Sequence, residues 1–477
     1  MQAIPSEDLV IDRKARLQIP FWDLTARPTS ERVCDFDVTF LNLTPEGARL
    51  AAERCIHCPD PAPCAVACPA GNDIPSAMWL VEQGDFLGAA RIYQETSSLP
   101  EICGRVCPHE ALCQGSCVLS KHGEPVLTGA LEAFVTDYAR RAGQVDIPRG
   151  KDTGRRVAIV GSGPSGLACA EQLVRHGHRP TVFEAALAPG GLLIYGIPNF
   201  KLAKTVVEAR LEDLRRAGVA FVTGTRIGAD KTVDDLMAEG FDAVYLATGA
   251  GVDADIDVPG KDLPGVYPAT EFLIRANVDP GLLPPDSGGP PEAGRRVAVI
   301  GGGDTASDCL RTALRLGAEE VTCLYRRTEA EMPGGTKDRH LAREEGARYR
   351  FLSQPVRFLA GSEGRVNAVE CLQCELGEPD ESGRRRPVPI EGSNFMVPAD
   401  AVILALGYRP DPSLGKTTPG LDTRKHGLIV TDPDTGVTSR PGVFAGGDAV
   451  TGPDLVVTAM RAGRRAAAAI DGFLTNR

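Results

Sequence analysis

The sequence predicts an α/β protein: two parallel-sheet nucleotide-binding units behind a helical, cysteine-rich segment. Three observations carry this. A strand–glycine loop–helix pattern occurs twice. Nine of the fourteen cysteines fall between Cys34 and Cys117, although the chain has 477 residues. The composition, 43% hydrophobic and 24% charged, is that of a globular chain long enough for about three domains.

The first copy of the pattern begins after PRGKDTG (148–154), which reads as a linker. Arg155-Arg156-Val157-Ala158-Ile159-Val160 is a buried strand, Gly161-Ser162-Gly163-Pro164-Ser165-Gly166 a loop, LACAEQLVRHG a helix ended by Gly177, and PTVFE a second strand stopping at Glu184. The glycines permit a tight turn and close approach of backbone to a pyrophosphate. The helix N-terminus offers unpaired N–H groups to the same anion. A carboxylate at the end of the second strand accepts hydrogen bonds from ribose hydroxyls and repels a 2′-phosphate. Gly161, Gly163, Pro164, Ser165, Gly166 and Glu184 therefore suit FAD or NAD, and not NADP.

The second copy differs informatively. RRVAVI (295–300) leads into Gly301-Gly302-Gly303-Asp304-Thr305-Ala306, a helix ends near Gly317, and VTCLYRR (321–327) ends in Arg326-Arg327 where the first copy has its acid. Guanidinium forks bind phosphate, so Gly301, Gly303, Asp304, Thr305, Arg326 and Arg327 predict NADPH. A Pro/Gly-rich stretch, 278–294, reads as a loop between the copies.

Val244–Gly249 and Val402–Gly407 are strands ending in a glycine turn, and they resemble the crossing elements near FAD in flavoproteins with two dinucleotides. That resemblance implies two Rossmann-like domains, an NADPH domain inserted into an FAD domain, with Thr248 and Gly249 at the FAD. Gly447 and Asp448 would return the chain to the FAD, Asp448 near the ribityl–phosphate region. The helix from Leu455 onward would aim N–H groups at the flavin ring. The expected boundaries are 1–150 for a helical iron–sulfur domain, 151–285 with 406–477 for the FAD domain, and 286–405 for the NADPH domain.

The cysteines fall in two runs, Cys55-x2-Cys58-x5-Cys64-x3-Cys68-Pro69 and Cys103-x3-Cys107-x5-Cys113-x3-Cys117, with Pro108 after Cys107. Such spacings resemble bacterial ferredoxin ligation, in which the last cysteine of a run serves the other cluster. Zinc is the rival ligand; the Cys-Pro ends and the neighbouring flavin unit favour iron–sulfur. Short helices are readable at 76–93 and 125–142. Cys169 and Cys309 read as core residues. Cys371-x2-Cys374 sits in an apparent strand, where i and i+3 face opposite sides, and is not read as a redox pair.

A net charge of -11 argues against nucleic acid or an anionic membrane as partner. No apolar run is long enough to span a bilayer, and MQAIPSEDLVIDRKARL lacks a signal-peptide core. The expectation is a cytoplasmic protein.

The stretches LPEICGRVCPHEALCQGSC, PGGLLIYGIPNFKL, GGGDTASDCLRTALRLGAEEVTCLYRRTEAEMPG, ADAVILALGYRP and VFAGGDAVTGPDLVVTAMRAGRRAA make the chain resemble the small (beta) subunits of bacterial glutamate synthase across nearly its whole length. The N-terminal half of dihydropyrimidine dehydrogenase and the large subunit of the NADH-dependent reduced ferredoxin:NADP oxidoreductases belong to the same wider group. The resemblance implies FAD, NADPH and two [4Fe–4S] clusters, one on Cys55, Cys58, Cys64 and Cys117, the other on Cys68, Cys107, Cys113 and Glu132, with Cys103 spare. The Cys58–Cys64 gap is one residue longer than the family commonly has. Gly190–Leu193, including Gly191 and Leu192, and Tyr195–Pro198 would line the isoalloxazine; Met332–Gly334 would face NADPH. The implied partner is the large (alpha) subunit, which makes glutamate from glutamine and 2-oxoglutarate. The alternative is another electron-acceptor protein, as in ferredoxin-linked and electron-bifurcating relatives. Nothing in the chain resembles an amidotransferase.

Overall fold

The computed structural model describes residues 11–285, 287–380 and 383–476. The first ten residues, part of the stretch read for a leader, lie outside it.

The N-terminal part is helical. Its principal helices are Pro45–Glu53, Ile74–Glu82, Phe86–Thr96, Pro100–Val106 and Thr128–Arg141. Three of them start on a side-chain cap: Thr44 accepts from the Gly47 N–H, Asp73 from Ser76 and Asp85 from Gly88. The segment 76–93 is not one helix. Gly84 takes φ +81°, outside the helical region, and the chain restarts at Asp85. The core of this part is small and alanine-rich, around Met78, Tyr93, Leu131 and Val135, with Cys113 inside it.

Two five-stranded sheets follow, with the same order. In the first, all parallel, Val443–Ala445, Ala243–Leu246, Arg156–Val160, Arg179–Phe183 and Ala220–Val222 lie side by side. In the second, also parallel, the order is Val266–Pro268, Ala401–Leu404, Arg296–Ile300, Glu320–Leu324 and Arg348–Arg350. The central strands are buried on both faces, which is why they read as unbroken apolar runs. A short antiparallel ribbon, Val252–Asp253 against Tyr408–Arg409, links the two units.

The strand Val266–Pro268 belongs to the second sheet, and the helix Ala269–Asn277 packs into the same core. The chain therefore leaves the first unit near Gly251 and not at 285. The described residues of the Pro/Gly-rich stretch 278–294 lie within the second unit, between the helix Ala269–Asn277 and the strand Arg296–Ile300. An antiparallel sheet of Ser353–Ala360, Val366–Pro379, Arg385–Pro389 and Phe395–Pro398 is also inserted there, its apolar face on Ala298, Ile300, Leu324 and Val402.

The last helix, Val456–Thr475, lies on the first glycine-loop helix, Pro164–Arg175. The fit is close enough that a Cβ on Gly463 would stand 2.0 Å from the Ser165 carbonyl oxygen. The Met460 sulfur accepts from the Ser97 hydroxyl and the Ser98 N–H, tying this helix to the N-terminal part.

Candidate functional site

A cavity of 1840 Å³ opens where the three parts meet. From the first unit it is lined by Gly161, Gly163, Pro164, Ser165, Glu184, Gly191, Leu192, Thr248, Gly249 and Asp448. Gly303, Asp304 and Thr305 line it from the second, and Cys107, Pro108, His109 and Gln114 from the N-terminal part. Gly166, Gly301 and Gly447 stand behind the wall and shape it. A Cβ on Gly166 would meet the Gly161 oxygen at 2.0 Å, one on Gly301 the Ala405 oxygen at 2.1 Å, and one on Gly447 the Ser165 Cβ at 2.9 Å.

The two glycine loops share one geometry. Gly163 and Gly303 are each the residue before a helix, neither carries a side-chain cap, and a Cβ on either would project into open space. The first-turn N–H groups are thus left for an anion. In the first unit Glu184 is fixed at its strand end: Oε2 accepts from the Ser162 N–H at 3.1 Å and from the Ser162 hydroxyl, Oε1 from the Ala186 N–H at 2.8 Å. Asp448 is half-buried on the wall of the same cavity. Its Oδ1 has no hydrogen-bond partner among the described residues, and burial pushes the carboxyl up to about 7. An orphaned buried acceptor and an open pyrophosphate cradle in one cavity fit FAD.

In the second unit Asp304 Oδ1 accepts from the Gly335 N–H at 2.8 Å, and the Gly334 N–H donates to the Gly302 oxygen at 3.1 Å. The loop after Met332 is thereby laid against the glycine loop; Pro333 and Gly335 line the cavity, and Met332 is buried in the core. Arg326 and Arg327 part company. Arg326 is exposed at the strand end, whereas Arg327 is buried, donating to Asp380 Oδ2 at 2.6 Å and to the Arg385 oxygen at 2.7 Å. The pair predicted for a 2′-phosphate reduces to Arg326, because the Arg327 guanidinium fastens the inserted sheet to the strand.

One group at this junction was missed in the sequence. Lys201 of the first unit reaches Asp308 Oδ1 at 3.0 Å and Asp338 Oδ2 at 2.8 Å in the second, and all three line the cavity. Its partners lie more than 100 residues away, so no local pattern marks it.

All fourteen cysteines are free thiols. Cys55, Cys58, Cys64 and Cys117 stand within electrostatic reach of one another; burial first, then this crowding, pushes Cys55 and Cys64 up to about 12. Cys68, Cys107 and Cys113 gather around Glu132 in the same way, with the Cys103 thiol beside Cys107. Burial pushes the Glu132 carboxyl up to about 8, against a hydrogen bond from the Asn72 amide at 3.3 Å. Among the described residues no three such side chains converge closely enough to chelate a single ion. A cubane cluster binds each ligand at a different iron, and its ligands stand correspondingly farther apart.

The chain is 42% identical over 459 residues to the glutamate synthase (NADPH) small chain of Halomonas elongata, covering 95% of this chain and 96% of that one. This chain belongs to the glutamate synthase small-chain family. A family model described as dihydropyrimidine dehydrogenase domain II, 4Fe-4S cluster, matches residues 32–144, and one described as pyridine nucleotide-disulphide oxidoreductase matches 155–463. Like that family, the chain is an oxidoreductase with a 4Fe–4S domain ahead of flavin- and nicotinamide-type domains. It is also 43% identical over 450 residues to the oxidoreductase AegA of Escherichia coli, covering 93% of this chain and 68% of that one. Mycobacterium tuberculosis FprA, solved in complex with NADPH, shares the fold with a TM-score of 0.57 and 22% identity over 68% of this chain and 85% of that one. No helix among the described residues is long and apolar enough to cross a membrane.

Proposed function

We propose that this chain is the electron-input subunit of a glutamate synthase, working in the cytoplasm with a large subunit that makes glutamate from glutamine and 2-oxoglutarate. The observation that carries this is the single cavity: both glycine loops open into it, and Cys107 of the second thiol set lines its wall. When bound, NADPH would supply hydride chemistry, FAD the exchange between paired and single electrons, and [4Fe–4S] clusters one-electron carriage.

The chain's own residues bind, orient and shield. Gly161, Gly163 and the helix start at Pro164 hold the FAD pyrophosphate, Glu184 its ribose, and Asp448 the ribityl end. Gly303, Asp304 and Thr305 hold the NADPH pyrophosphate, and Arg326 its 2′-phosphate. One cluster takes Cys55, Cys58, Cys64 and Cys117; the other takes Cys68, Cys107, Cys113 and Glu132. Three thiolates with one carboxylate suit the second site, because burial already opposes an unpaired charge on Glu132. The partner is a protein, with neither nucleic acid nor membrane engaged.

The similarity to AegA, named as an oxidoreductase and not as a glutamate synthase chain, favours a second reading, in which the same module feeds a different acceptor protein. The test is to tag the chain, purify it anaerobically from its own host, and assay NADPH oxidation. A co-purifying large subunit and a requirement for both glutamine and 2-oxoglutarate are expected. Flavin bleaching by NADPH with electrons passing only to a ferredoxin or dye would move the assignment to the second reading.

A further inference from the structure

Tyr93 lies near the end of the helix Phe86–Thr96, 0% exposed, in the core that also holds Met78, Leu131 and Val135. Its hydroxyl has no hydrogen-bond partner among the described residues. Buried hydroxyls are almost always paired, and an orphan in a native core marks a group that the complete protein supplies. The ionisable neighbours of this hydroxyl are Glu132, Cys113, Cys68 and Cys64. The first three belong to the second ligand set and the last to the first set, so the phenol stands among the second set with one thiol of the first also within electrostatic reach.

We propose that Tyr93 donates its hydroxyl hydrogen to a sulfur of the cluster held by Cys68, Cys107, Cys113 and Glu132. This rests on the reading of the two thiol sets as cluster ligands. A hydrogen bond to a cluster sulfur stabilises the reduced, more negative state and so raises that cluster's reduction potential. Tyr93 is thus a positioning and tuning residue, and it distinguishes two clusters that lie in one small domain.

Tyr93→Phe removes one oxygen and keeps the ring, so the full-length protein should assemble with its iron and flavin unchanged. In a titration with dithionite and mediators, followed by electron paramagnetic resonance, one cluster's midpoint should move to lower potential while the other stays. Tyr93→3-fluorotyrosine, whose phenol is the stronger donor, should move the same midpoint upward, and it carries the test alone if the phenylalanine variant comes out short of iron. Two unmoved midpoints in iron-replete variants would overturn the proposal and would mean that water, and not a cluster sulfur, satisfies the hydroxyl. Iron-free wild-type protein would instead defeat the cluster reading beneath it. The titration uses neither NADPH nor a partner subunit, so it is independent of the assigned acceptor.

Discussion

Arg326 and Arg327 are adjacent in sequence and opposite in surroundings: one is exposed at the strand end, the other is buried against Asp380. A charge-assisted hydrogen bond contributes about 1.5–3 kcal/mol, and 1.4 kcal/mol is tenfold in affinity. Arg326→Ala should therefore weaken NADPH by about 10- to 100-fold and leave NADH nearly untouched. Arg327→Ala should leave the coenzyme preference alone and lower thermal stability by about 1–3 kcal/mol, since it removes buried charge-assisted bonds to Asp380 and to the Arg385 carbonyl. Steady-state kinetics with both coenzymes, alongside melting curves, separate the two; an equal loss of NADPH preference in both variants would defeat the division. The sequence could show that two arginines replace an acid here. It could not show which of them is free, because Asp380 is 53 residues away on a sheet that only folding brings back.

At the scale of the element, the glycine loops separate conformation from space. Gly161 takes φ +102°, and a Cβ there would stand 2.4 Å from the Ala247 oxygen, whereas Gly163 has an ordinary φ and nothing within 4 Å. Gly161→Ala should destabilise the flavin-free chain by about 1–3 kcal/mol, the usual strain of such a conformation. Gly163→Ala should leave that chain within about 0.5 kcal/mol of wild type. It should nonetheless purify with little FAD, because its methyl group fills the pyrophosphate cradle. Flavin stoichiometry together with the melting temperature of stripped protein checks both, and full flavin in Gly163→Ala would remove that loop from the cofactor site.

These loops were legible because a strand buried on both faces must be continuously apolar and because only glycine tolerates such close approach. Elements without such constraints were not. The strand Val266–Pro268 has only three residues and sits well ahead of the conspicuous Pro/Gly-rich stretch, so that stretch passed for the domain boundary. The break in 76–93 rests on the single residue Gly84. Of the inserted antiparallel sheet only the strand around Cys371 and Cys374 was legible; its partners left too faint a signal in a segment already assigned to an α/β unit.

The whole molecule is joined at a buried node that draws on all three parts. The Glu345 carboxylate takes Arg311 Nη2 at 2.9 Å and Arg315 Nη1 at 2.6 Å within the second unit, and Arg32 Nε at 3.0 Å from the N-terminal part. Phe200 of the first unit lies beneath the guanidiniums of Arg311 and Arg315, and its carbonyl oxygen accepts from the Thr39 N–H at 2.9 Å. Thr39 Oγ1 in turn accepts from Arg311 at 2.6 Å. One carboxylate therefore balances three arginines that water barely reaches, and removing its charge leaves Arg315 without its carboxylate partner, Arg311 with only Asp338 at 3.7 Å and Arg32 with only the half-exposed Glu344. Breaking a buried pair in this way costs about 3–5 kcal/mol. Glu344 also meets Arg32, at 2.6 Å, but its side chain is 41% exposed, and an ion pair open to water is worth at most about 1 kcal/mol. Glu345→Gln should therefore depress the melting temperature several times more than Glu344→Gln, read by circular dichroism on the two variants side by side. It should also slow flavin reduction by NADPH, since the node fixes how the two nucleotide units face each other, while Glu344→Gln reduces flavin at the wild-type rate. Equal melting shifts would mean that the three parts are held together elsewhere, by the Lys201 pairs or by the last helix on Ser97 and Ser98.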